Sequence, residues 1–109
     1  MTVMNEKLQT ILKELHAKLA AEYGSRLVNV ILYGSQARGD ATPESDIDVM
    51  VVLKDEVNPY QEIDRTNELT SRLSLEYDTL ISTLFVTEDR LRSEGSPLLM
   101  NIRREGVEV

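Results

Sequence analysis

Two apolar runs of strand length, one over residues 27–33 and one over residues 46–53, are joined by a polar loop that opens with Gly34-Ser35. This stretch constrains the fold more than any other. The first run is broken only by Asn29 and reads as a buried strand. In the second, Asp46 and Asp48 take one face, while Ile47, Val49, Val51 and Leu53 take the other. From Val49 onward both faces are apolar, as in a central strand covered on two sides.

The flanking chain supplies the cover. Residues 4–23 read as a helix, with Leu8, Ile11, Leu12, Leu15 and Leu19 at helical spacing. Asn5 or Thr2 would cap its start, Gly24 its end, and Glu14 would pair with Lys18 one turn on. His16 lies one step off the apolar stripe and reads as a solvated histidine. Residues 60–76 predict a second helix, with Tyr60, Ile63, Asn67, Thr70, Leu73 and Tyr77 on one face and Leu69 beside it. Residues 78–86 predict a third strand, rich in Thr, Ile, Val and Phe. Thr87 caps a short helix with an acidic first turn, running to Arg92. Ser96-Pro97 starts another, which ends at Gly106. Val107-Glu108-Val109 reads as a stub for a sheet edge. Helices alternating with buried strands predict one α+β (α/β-like) domain over residues 1–109, with helices covering a small sheet.

Composition narrows the function. A chain of 109 residues suffices for one core. The net charge of −7 opposes binding to a phosphate backbone, so no direct nucleic-acid binding is expected. With no cysteine there is no disulfide framework, thiolate metal site or cysteine nucleophile. No stretch of 18 apolar residues predicts a membrane span, and the first residues lack the shape of a signal peptide. A cytoplasmic location is the expectation.

The chemistry lies in the joining stretch. Two aspartates at i and i+2 on a strand project to one face, with Cα atoms roughly 7 Å apart. Two carboxylates so placed repel each other, and a hard cation relieves the repulsion. Mg²⁺ takes a few carboxylate oxygens together with water and substrate phosphates, at about 2.0–2.1 Å. Gly34 lets the backbone approach a phosphate with no Cβ in the way. Ser35 adds a hydroxyl and an N–H, and Arg38 is placed to grip a phosphate or tie the loop to the carboxylates. Gly-Ser followed ten residues later by Asp-x-Asp is a chance match only about once in a thousand chains of this length.

These residues, Tyr-Gly-Ser-Gln-Ala-Arg-Gly-Asp-Ala followed by Ser-Asp-Ile-Asp, resemble the signature of the polymerase β-like nucleotidyltransferase superfamily. The fuller pattern is similar to its minimal branch, the MntA-type antitoxins of HEPN/MNT toxin–antitoxin pairs. The resemblance implies a small mixed sheet flanked by helices. It implies that Gly34 and Ser35 hold the triphosphate of ATP, that Asp46 and Asp48 bind Mg²⁺, and that AMP passes to an acceptor hydroxyl. In that branch the acceptor is a tyrosine of a partner HEPN-domain toxin ribonuclease, which adenylylation silences. Many relatives carry a third carboxylate on the strand after the central helix. Asp78 is the candidate here, whereas the related position falls near Leu84, which is apolar. The resemblance leaves two other roles open: an antitoxin acting by contact alone, and a transferase for a small-molecule hydroxyl. Larger members add a helical domain that holds the acceptor; here another chain or self-association is expected to bring it.

Overall fold

The structure is a computed structural model and describes residues 6–42 and 45–109. Helix α1 (Glu6–Tyr23) leads through a 3₁₀ turn (Gly24–Arg26) into strand β1 (Leu27–Tyr33). A one-turn helix α2 (Ser35–Arg38) and a loop follow, then strand β2 (Ile47–Leu53). Helix α3 (Pro59–Glu76), strand β3 (Ile81–Thr87), helices α4 (Glu88–Ser93) and α5 (Pro97–Glu105), and the two-residue strand β4 (Val107–Glu108) complete the chain. The proposed caps at Thr2 and Asn5, and the loop breaker Pro43, lie outside the described residues.

The four strands form one mixed sheet in the order β3-β2-β1-β4. β1 runs antiparallel to β2 and β4, whereas β2 and β3 are parallel and joined through α3. The predicted class is therefore observed. α1 and α3 cover one face, where Leu8, Ile11, Leu12, Leu15 and Leu19 meet Val30, Leu32, Val49, Val51, Leu73 and Phe85. α5 covers the other, with Leu99 and Ile102 packed on Ile31, Met50, Val52 and Val86. This two-sided burial explains the apolarity of β2 on both faces. Thr87 and Ser96 cap as expected, accepting from the N–H groups of Arg90 and Leu99.

Four expectations are corrected by tertiary contacts. The buried face of α3 is Glu62, Thr66 and Leu73, whereas Tyr60 is 83% and Ile63 45% exposed. The Tyr23 hydroxyl donates to Glu62 Oε1 at 2.9 Å, and the Thr66 hydroxyl donates to the Glu62 carbonyl. Those bonds let polar groups occupy the buried stripe. Glu14 accepts from the Tyr77 hydroxyl at 2.8 Å instead of pairing with Lys18. His16 is half-buried, with Nδ1 2.7 Å from the Val109 main-chain oxygen, and so ties α1 to the end of β4. β3 begins at Ile81 rather than Asp78, because Asp78 takes a left-handed turn at φ 50°.

Gly106 is required by space. A Cβ there would meet the Ile102 carbonyl oxygen at 2.5 Å and Ile31 Cγ2 at 2.6 Å. The bare glycine lets the chain leave α5 and cross onto β1 as β4.

Candidate active site

The register of β1 on β2 sets Tyr33 directly opposite Asp48. The chain then turns sharply at Gly34, with φ 72° and ψ −153°, a region essentially restricted to glycine. A Cβ at Gly34 would lie 2.6 Å from Asp48 Oδ2. The glycine is thus the residue against which the carboxylate rests. α2 follows at once, anchored by buried Ala37 on the α1 side of the sheet. Its first N–H groups have no partner within the helix, as at any helix start. The end of the loop is fixed too: the Thr42 N–H donates to Ser45 Oγ at 2.8 Å, and the Ile47 N–H to the Leu80 carbonyl at 2.8 Å.

Asp46 is exposed and Asp48 half-buried, and neither side chain forms a hydrogen bond or ion pair among the described residues. Burial raises the Asp48 pKa above the usual carboxylate range. The Asp46 charge raises it further, and Arg38 opposes both. Tyr33 is raised as well, first by burial and then by Asp48, so its phenol stays protonated at neutral pH. Arg38 itself pairs with Asp40, Nε to Oδ2 at 3.3 Å, on an exposed part of the loop.

The structure brings Gly34, Ser35, Asp46 and Asp48 to one end of the sheet, with Arg38 close enough to act on Asp48. Asp78 stands apart. Among the described residues no three acidic or histidine side chains form a group able to hold a metal ion. Asp78 precedes β3 in an exposed turn, and the β3 residue level with Asp48 is Ser82. Leu84 lies two residues farther in, level with Met50. Sequence reasoning missed Tyr33 and Ser82 as neighbours of Asp48. Tyr33 was signalled by its place before Gly34; Ser82 required the register.

The residues present fit a divalent cation. Asp46 and Asp48 lie two residues apart at the entry to β2 with no protein cation bonded to either side chain, and Asp48 is already penalised by the Asp46 charge. The absent side chain of Gly34 gives Asp48 Oδ2 the room to lie against the turn. Asp46 and Asp48 would hold the ion, which when bound would neutralise phosphate charge and polarise the attacked phosphorus.

A mixed sheet presenting a Gly-Ser turn against an Asp-x-Asp segment is an arrangement able to hold a nucleotide's phosphates beside a cation. The chain belongs to the nucleotidyltransferase domain family, which matches residues 6–104. It is 40% identical over 74 residues to "Putative protein adenylyltransferase MJ0141" of Methanocaldococcus jannaschii, across 68% of this chain and 74% of the relative. Its fold is similar to a "Crystal structure of the toxin-antitoxin with AMP-PNP", with TM-score 0.61 and 22% identity over 95% of this chain and 72% of that one. It is also similar to a chain in the complex of tri-AMPylated Shewanella oneidensis HEPN toxin with MNT antitoxin. There the TM-score is 0.56 and the identity 20%, over 94% of this chain and 70% of that one. Among the described residues no helix is long and apolar enough to cross a membrane.

Proposed function

We propose that this protein is an antitoxin that transfers AMP from ATP to a tyrosine hydroxyl of a cognate HEPN-domain toxin. The observation that carries the chemistry is the contact of Gly34 with Asp48, which joins the phosphate-side turn to the carboxylate strand. Gly34 and Ser35 cradle the phosphates, and Arg38 adds positive charge on the loop. Asp46 and Asp48 hold Mg²⁺ beside them. The acceptor oxygen bonds to the α-phosphorus, the bond to the β-phosphate oxygen breaks, pyrophosphate leaves, and the hydroxyl proton passes to water. The name of the curated relative supports a protein acceptor. The AMP-bearing HEPN toxin held by an antitoxin of this fold supports the toxin as that acceptor.

The test is to incubate this chain with ATP, Mg²⁺ and a HEPN-domain toxin, and to weigh the toxin. A gain of one or more AMP units is expected, with loss of ribonuclease activity. An unmodified toxin silenced in a stable complex would replace this reading with neutralisation by contact.

A further inference from the structure

Beside Asp46 lies an open hollow of about 410 Å³, bounded by the end of α3, the turn before β3 and the start of β2. Leu75 and Leu80 form its apolar rim, and Asp46 and Asp78 its acidic one. Leu75 is 85% exposed and Leu80 56%, whereas Leu73, two residues before Leu75, is wholly buried. The frame is rigid. The Thr79 N–H donates to the Ser74 carbonyl at 3.0 Å, the Ile81 N–H to Ser74 Oγ at 3.3 Å, and Leu80 accepts from the Ile47 N–H. Neither Asp46 nor Asp78 has a hydrogen-bond or ion-pair partner among the described residues, and the chain as a whole carries −7.

We propose that this hollow is the docking groove for the acceptor polypeptide, and that it takes a segment carrying a basic residue next to an apolar one near the acceptor hydroxyl. The proposal rests on the transferase reading above and names what its site recognises. Two leucines exposed on one rim gain free energy when an apolar side chain covers them. Asp46 is shared with the cation at the reacting centre, and Asp78, a carboxylate with no cation of its own, favours a cationic partner over an anionic one. Asp46 joins the groove to the reacting centre, because it lies two residues before Asp48 at the entry to β2 and its charge acts on Asp48. A segment lying in the groove is thereby led toward Asp48. Asp78 acquires a role that the three-carboxylate expectation did not give it: it faces the acceptor chain rather than the metal.

The test measures binding first and transfer second. Three fluorescent peptides, each with one tyrosine, carry Arg-Leu, Gln-Leu or Arg-Ser beside it, and anisotropy reports their binding to the intact chain without ATP. The Arg-Leu peptide should bind about threefold tighter than the Gln-Leu peptide, as for an exposed ion pair. It should bind about tenfold tighter than the Arg-Ser peptide. Asp78→Asn, which tolerates the left-handed turn, should erase the first preference and leave the second. Leu75→Ser or Leu80→Ser should erase the second. Equal binding of all three peptides, or preferences untouched by these substitutions, would overturn the groove. Adding ATP and Mg²⁺ separates the two readings. Both preferences in the peptides, with a HEPN toxin that gains no AMP under the same conditions, would keep the groove and remove the transferase reading.

Discussion

Asp48 Oδ2 rests 2.6 Å from the point where any side chain on Gly34 would begin. The phosphate-side turn and the carboxylate strand therefore share one contact, and a single methyl group is enough to part them. Gly34→Ala meets two penalties, a backbone region closed to alanine and a clash with the carboxylate. It should destabilise the domain by about 2–3 kcal/mol in urea unfolding. Transfer activity should fall with it at temperatures where the variant is still folded. Full activity in Gly34→Ala would refute the contact as the centre of the site.

Asp48 gives a pH-dependent signature. Burial first, and then the Asp46 charge, raise its folded pKa above the unfolded value. Its ionisation therefore works against the fold. That penalty is absent when the carboxyl is protonated in both states, and it grows as pH rises through the unfolded and then the folded pKa. Asp48→Asn should accordingly raise Tm at pH 7 without metal. The gain should shrink as pH is lowered through the carboxylate range. A gain independent of pH would assign the effect to packing.

Mg²⁺ should reverse the sign of that contribution. An ion held by Asp46 and Asp48 stabilises the folded state by about 1.4 kcal/mol at ten times its Kd. Thermal unfolding should shift upward with Mg²⁺ for the native chain and stay unmoved for the double variant Asp46→Ala, Asp48→Ala. Equal shifts in both proteins would remove the carboxylate clamp.

The tie between α1 and α3 has its own test. Tyr23 donates to Glu62, which is 5% exposed, and the guanidinium groups of Arg26 and Arg65 each lie 5.6 Å from the Tyr23 ring centroid. Tyr23→Phe keeps the ring and its cations and deletes only the donor. Glu62 then retains Arg65 at 3.8 Å as its remaining side-chain partner. A loss of about 1–3 kcal/mol in denaturant unfolding is expected for a buried acceptor left short of a donor. An unchanged midpoint would show that Arg65 satisfies Glu62 alone.

The parts legible in the sequence were those set by local pattern. β1 and the body of β2 followed from apolar runs, α1 from its leucines, and the starts of α4 and α5 from Thr87 and Ser96-Pro97. What escaped depended on partners far along the chain. Glu62 is buried because Tyr23 reaches it, and an apolarity count selects Tyr60 and Ile63 instead. His16 is held by Val109, at the opposite end of the sequence. The Gly-Ser and Asp-x-Asp halves of the site could be read because strand alternation alone fixes the carboxylates' face. Their neighbours Tyr33 and Ser82 depend on the register of β2 with β1 and β3. No local rule supplies that register.

The sheet order also sets which part of the domain opens first. β2 is hydrogen-bonded along both edges and wholly buried from Val49 to Leu53, whereas β4 offers two residues at a margin. Amide protons on β2 should exchange with solvent only when the whole domain unfolds, and those on β4 by local fraying. Asp48 thus rides on the slowest-exchanging strand. Gentle heating should erode the β4 edge while the carboxylates hold their places, so activity persists until the cooperative transition ends it.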